Sequence, residues 1–387
     1  MTEVNSIGDV KKFQEYDELL EILCKRKMVI EDPLRAQRKL TQVGYYRLSG
    51  YWYTARKFDW VDGPTPEDKK IKRVQNEFHT GTSFEEVFDL YLFDKRLRIE
   101  ISDAIERIEI FLRTIIAHEI GRISPTAYLD KKQFSKDAFN PESKIPNYDD
   151  WLERHTRLLD ESKEDCIIHY RNREQPVPIW VACEVWDFGT MSRFFSMLKG
   201  KNQDMICNRI DIDSRNALEN WLINLNGIRN RCAHHSRVFN KPNLRGLILP
   251  RKGYFNLLEL GRNEKDRLYG LITVMWFLLK KIGNNSKWIY RIADLIDNMP
   301  YIRGANIHSL GITADKFPRD KFPELVYEIK KAPQSTVPTQ ETLIEKLSKK
   351  IECIEKADLS ELSNERAQEY MDKLLECAER FENTSGK

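Results

Sequence analysis

The run from Ser83 to Gly121 constrains the fold more than any other part of the chain. Ser83-Phe84-Glu85-Glu86 has the form of a capping box, in which a hydroxyl and a carboxylate three residues apart satisfy each other's backbone donors. Beyond it Ile101, Ile105, Ile108, Leu112 and Ile115 recur at the helical period. An unbroken helix of that length would extend ~55 Å. Glu109 and Arg113 stand four residues apart on it, the spacing of an intrahelical salt bridge.

The rest of the chain reads the same way. A helix is expected over roughly Glu15 to Lys27. Another should open at Asp32-Pro33, a cap followed by proline at the first helical position, and stop at Gly44. Pro178-Ile179-Trp180 to Gly189 reads as a short apolar helix with a glycine stop, and Leu268 to Ile282, before Gly283, as a core helix. Alternating strand patterns are scarce, and Pro64 to Gly81 reads as a charged, irregular loop whose Lys69, Lys70, Lys72 and Arg73 form a solvated face. Lys331 to Gln340, with Pro333 and Pro338, reads as a linker. Two amphipathic runs follow within 341–387. The expected organisation is therefore all-α: a domain over 1–330, a linker over 331–340 and a helical hairpin over 341–387.

Composition narrows the class. The 387 residues are 41% hydrophobic and 32% charged, enough for a core and for solubility. The longest apolar run, Leu268 to Leu279, is about half of what a membrane span needs. With no apolar leader in Met1 to Val10, the expected location is the cytoplasm and no membrane contact is expected. Seven dispersed cysteines, never in C-x2-C spacing, argue against a disulfide framework and a zinc site, and no cofactor is expected. The formal net charge of +3 is uneven: residues 341–387 carry −4 and the remainder +7, a modest basic bias compatible with RNA.

The chemistry concentrates in Ile228-Arg229-Asn230-Arg231-Cys232-Ala233-His234-His235-Ser236-Arg237. Histidine moves protons near neutral pH, and arginine holds a phosphate and steadies charge developing on it. Arg-x4-His by itself is weak evidence, because Arg113/His118 and Arg303/His308 share the spacing. The setting distinguishes the first match. Leu218, Trp221, Leu222, Leu225, Ile228 and Cys232 form one apolar stripe on a helix that Ser214 can cap. Arg229 then falls beside the stripe, and His234 on the far side with Asn230, Asn226 and Ile223. His234 should face a cleft or a second subunit, and Ile223 with Gly227 would suit a helix-to-helix dimer contact. A core-edge ion pair for Arg229 and a plain surface role for His234 remain open on this evidence. The aromatic segment Tyr45 to Tyr53 admits a base-stacking platform, although clustered aromatics more commonly pack in a core corner.

Five short motifs occur in order: Gly44-Tyr45-Tyr46-Arg47-Leu48-Ser49-Gly50-Tyr51, Phe93-Asp94-Lys95-Arg96-Leu97-Arg98, Ile108-Glu109-Ile110-Phe111-Leu112-Arg113, Pro178-Ile179-Trp180 with Phe188-Gly189, and Ile228 to His235. On these residues the region 12–325 resembles the Abi-like abortive-infection proteins of bacteria, counted among the all-helical HEPN ribonucleases. The resemblance implies a HEPN-like helical bundle with added helices, and a metal-independent RNA endonuclease acting as an antiphage toxin. It implies a composite site in which two Arg-x4-His motifs meet across a homodimer. His234 would move the proton, with His235 sharing that task or docking the helix. Arg229 would hold the phosphate, and Asn230 would orient the histidine or a phosphate oxygen. Arg231, Arg237 and Arg47 are further candidates for substrate contact. Glu109 and Arg113 would brace the motif helix. An RNA or protein antitoxin is an expected partner. The competing readings are a HEPN-like module that binds RNA without cutting it, and a helical scaffold with no nucleic-acid role.

Overall fold

The computed structural model describes residues 12–61, 70–283 and 285–323, all of them within one compact unit. The expected linker and C-terminal hairpin lie outside the described residues, as do Lys69, Cys353 and Cys377.

The expected helix caps form. Helix α1 (Tyr16–Lys25) is opened by Glu15 and Glu18. Helix α2 (Pro33–Val43) starts at Asp32, whose carboxylate accepts from the Arg35 N–H at 2.9 Å. Gly44, at φ 88°, ends α2 and immediately opens α3 (Tyr45–Trp52), a corner that a side chain would strain. The aromatic segment is mainly a core corner: Tyr51 and Trp52 are buried, while Tyr46 points to solvent.

One expectation fails after α3. Strand β1 (Arg56–Val61) pairs antiparallel with β2 (Ile71–Phe78), with Phe58 opposite Val74 and Trp60 opposite Lys72. Part of the segment read as irregular is therefore a strand. Its charged residues hide any alternation of apolar and polar positions, and cross-strand partners supply what the pattern lacks. Glu77, for example, accepts from Lys57 Nζ at 3.0 Å across the ladder.

Helix α4 (Phe84–Gly121) is continuous for 38 residues, ~57 Å. Ser83 and Glu86 form the capping box, each accepting at 3.1 Å from the other's backbone. All five isoleucine and leucine positions of its stripe are buried, each stabilising by about 1.5–3 kcal/mol relative to exposure. Helices α5 (Tyr148–Glu161), α6 (Asp165–Asn172) and α7 (Ile179–Ala182) follow. The expected glycine stop at Gly189 is not one. Asp187 accepts from Thr190 N–H at 2.7 Å and caps a new helix, α8 (Phe188–Met197), so Gly189 lies in its first turn.

Helices α9 (Gly200–Arg209) and α10 (Arg215–Ala233) come next, then the short α11 (Tyr254–Leu258) and α12 (Arg262–Lys265), and α13 (Leu268–Ile282) and α14 (Trp288–Asp297). Helix α13 is buried from Leu268 to Lys280 and stops at Gly283, as its apolar run requires. The core is organised on α4, against which α3, α7, α9, α10, α13 and α14 pack. Among the described residues no helix is long and apolar enough to cross a membrane. Cys183, Cys207 and Cys232 are buried and unbridged, whereas Cys24 and Cys166 are exposed.

Candidate active site

The site is built at the C-terminal end of α10. Ser214 Oγ accepts from Ala217 N–H at 3.2 Å and fixes the start of the helix. The six apolar stripe positions are all buried. Asn220 and Asn224, also buried, hold the segment after the helix against its side: Asn220 Nδ2 donates to the Gly246 carbonyl at 3.0 Å, and Asn224 Oδ1 accepts from Arg245 N–H at 3.1 Å. This arrangement corrects the expected use of Gly227. A Cβ there would lie 2.3 Å from Leu244 Cδ1, so the chain's own Leu244 occupies the space.

The helix ends in a turn that displays His234. Asn230 O accepts from His234 N–H at 2.9 Å, Cys232 O from His235 N–H at 3.0 Å, and Arg231 O from Ser236 N–H at 2.8 Å. His235 adopts φ 54°, the left-handed position that usually takes glycine at a helix end. A side chain there costs about 1 kcal/mol or more, so something must hold the turn. Three clamps do. Arg47 Nη1 donates to His235 O at 2.7 Å, and Arg237 Nη1 donates to Gly50 O. The third is Asp94, fully buried on α4, whose carboxylate accepts from Val238 N–H at 3.1 Å and Phe239 N–H at 2.7 Å. The same carboxylate accepts from Tyr51 Oη at 2.7 Å and pairs with Arg98. Burial pushes the Asp94 carboxyl upward, and these four donors oppose it.

Arg229 sits one turn earlier, half-exposed. Its Nε is 3.9 Å from Glu109 Oε2, and its Nη1 donates to Asn230 Oδ1 at 3.4 Å. Glu109 in turn accepts from Arg113 Nη2 at 3.1 Å, and that nitrogen also donates to Trp186 O at 2.9 Å. Burial raises the Glu109 carboxyl, against the pull of Arg113 and then Arg229. Arg229, Glu109, Glu106, Arg113, Ser102 and Ala233 line an open cavity of about 450 Å³.

The predicted residues thus separate into groups. Arg229, Glu109 and Arg113 converge on the cavity. Asn230 lies between that cluster and His234, touching one by side chain and the other by backbone. His234 does not line the cavity; it is exposed, and among the described residues its ring has no hydrogen-bond partner. His235 serves the turn through its backbone. Arg47 and Arg237 hold the turn, and Arg231 Nη1 donates to Pro242 O at 2.8 Å. All three thus spend donors on main-chain carbonyls. Sequence reading passed over Asp94, Arg98 and Tyr51 as positioning groups. The available signal was the acid–base spacing of Asp94 and Arg98 within one quoted motif. Among the described residues no three His, Cys, Asp or Glu side chains are grouped so that they could hold a metal ion.

Residues 38–240 match the family of Abi-like proteins. No curated protein and no solved structure matches the chain. The family match runs from α2 to just past the Asp94 clamp, so it contains the His234 turn, the Arg229 cavity and every clamp described above. Covering a little over half of the sequence, it makes the chain a member of the Abi-like family of abortive-infection proteins.

Proposed function

We propose that this protein is a HEPN-type RNA endonuclease that arrests growth during infection, and that its site is completed by a second copy. The carrying observation is the half-exposed Arg229 guanidinium at an open cavity, on the same helix end that presents the His234 ring, which has no hydrogen-bond partner among the described residues. The 3.9 Å separation from Glu109 orients Arg229 without a hydrogen bond. A phosphate oxygen can therefore become its main partner.

The chemistry follows from these groups. The ribose 2′-oxygen attacks the adjacent phosphorus while a histidine takes its proton, and the bond from phosphorus to the 5′-oxygen breaks. That oxygen leaves with a proton from a second acid, giving a 2′,3′-cyclic phosphate and a 5′-hydroxyl. His234 fills one of these roles and its partner copy the other. Arg229 neutralises charge developing on the phosphate. Because the substrate carries its own nucleophile, the step needs no metal and spares DNA.

Within one subunit Arg229 and His234 do not share a cavity. That divergence suits a composite site in a homodimer, and it also favours a second reading, a module that binds RNA without cutting it. Induced expression in a bacterial host separates the two. Wild type should stop growth and degrade RNA, with lysate activity that survives EDTA, and Arg229→Ala and His234→Ala should do neither. Equal toxicity of all three would sink the assignment. RNA that copurifies equally with wild type and His234→Ala, with no cleavage by either, would support the binding module. An RNA or protein antitoxin is the natural restraint on such an activity, and an inhibitor should copurify with nontoxic preparations.

A further inference from the structure

The Arg229 cavity is not the end of the groove along α4. Directly C-terminal to it along α4, a second cavity of about 450 Å³ opens beside Thr114, His118, Gly121, Arg122, Trp180 and Glu184. Arg113 joins the two: it pairs with Glu109 in the first, and its Nη1 lies 3.8 Å from Glu184 Oε2 at the second. Two features of the second cavity are unused by the fold or by the chemistry above.

The first is Trp180. The residue is 50% exposed, although it belongs to α7, which packs on α4. Gly121 permits this placement, since a Cβ there would lie 3.3 Å from Trp180 Cε3. The ring is thus held along one edge, with much of its surface open. The second is a cationic cluster on a buried carboxylate at the cavity's edge: His118 and Arg122 line this cavity, whereas Glu119 and Arg209 line the adjoining one, which Arg122 shares. Glu119 is 5% exposed. His118 Nδ1 lies 3.1 Å from its Oε1, Arg122 Nη1 3.5 Å from its Oε2, and Arg209 Nε 3.9 Å from its Oε1. One carboxylate cannot balance two guanidinium groups. The end of α4 adds roughly half a negative charge, and a positive excess remains, with both arginines reaching solvent. Glu184, the acidic group in the cavity lining, is turned toward Arg113.

We propose that this cavity is a nucleotide subsite for single-stranded RNA, in which Trp180 stacks a base and the Arg122–Arg209–His118 cluster takes an adjoining phosphate. It rests on the RNA reading above and names where the strand runs from the Arg229 cavity: along α4, with ten residues from Glu109 to Glu119, or ~15 Å. An aromatic face beside cations suits a single strand, because every base offers a π-surface.

Binding of a fluorescein-labelled uridine decamer to the full-length His234→Ala protein, followed by anisotropy at several salt concentrations, tests this. Adding Trp180→Ala should weaken binding about tenfold. Trp180→Phe, which keeps a stacking face, should recover most of that loss and shows that the fold is intact. Arg122→Ala should weaken binding and flatten the salt dependence by about 0.7 in log–log slope. Unchanged affinity in Trp180→Ala and Arg122→Ala, with wild type cleaving RNA, would overturn the subsite and leave the endonuclease standing. Loss of binding in these variants, with a wild type that never cleaves, would support the subsite and overturn the endonuclease. No binding by the parent protein would overturn both.

Discussion

Two Arg-x4-His pairs lie on neighbouring helices of this protein, and the same spacing gives them different fates. On α4, Arg113 and His118 sit inside a helix that continues past both. Arg113 is mostly buried and divides its guanidinium between Glu109, the Trp186 carbonyl and Glu184. His118 leans on Glu119. On α10 the helix stops between the two residues. Arg229 keeps part of its guanidinium in solvent, and His234 is lifted out on a clamped turn. Both arginines reach Glu109 and line the same cavity, Arg113 mostly buried and Arg229 half-exposed. Spacing sets which residues can be neighbours on a helix; where the helix ends sets whether they are available for chemistry.

The largest expected effect that could break this contrast is kinetic. His234→Ala should lower RNA cleavage by about 10²- to 10⁴-fold while leaving the melting temperature near that of wild type. A cleavage loss of only a few-fold would return His234 to an ordinary surface role. Asp94→Ala should act through stability. It leaves Arg98 charged and buried and strips two backbone donors, at a cost of about 3–5 kcal/mol, readable by urea denaturation. Arg113→Ala should also be thermodynamic, at about 3 kcal/mol, because Glu109 loses its closest partner. If Arg113→Ala instead left stability intact, the distinction between the two pairs would fail.

A third histidine sharpens the comparison. His155 is buried, stacks on Trp151 and accepts from Trp186 Nε1 at 2.9 Å. Burial lowers it from 6.5 to about 4. The unfolded chain therefore binds this proton more readily than the folded one between these values. Stability from this group is complete above pH 6.5 and falls as pH drops toward 4, by about 3 kcal/mol. His155→Phe should flatten that part of the stability profile. The smallest effect is expected at Gly227. Gly227→Ala gains about 1 kcal/mol of helix propensity and displaces the flexible, half-exposed Leu244 side chain, so net stability should move by less than about 1 kcal/mol in thermal unfolding.

Much of the fold is legible in the sequence because it is local. The Ser83 capping box, the Asp32-Pro33 start, the Gly44 and Gly283 stops and the buried stripe of α10 all rest on side chains within a few residues of the backbone groups they serve. The failures share one cause as well. Strand β2 has no apolar alternation, and its partners on β1 stand ten or more residues away in sequence. Gly189 reads as a stop until Asp187 is seen capping the helix that contains it. Arg47 and Arg237 are legible in the sequence only as candidates for substrate contact; that each also donates to a carbonyl more than 180 residues away is visible only in the fold.

By itself the sequence determined that the chain is mainly helical, where α1, α2, α4 and α13 lie, where α10 starts, and that this helix carries the Arg229 and His234 pair. Those outcomes follow from hydrogen bonds spanning three or four residues and from a 3.6-residue period, and both can be read along a line. Only the tertiary structure decided that the α10 helix terminates under His234 and that His235 takes a left-handed backbone. It also placed a carboxylate 144 residues away at Val238, to hold the turn. Such contacts must overcome the entropy of closing long loops and the desolvation of Asp94. They form only because the core around α4 has already brought the donors to that carboxylate.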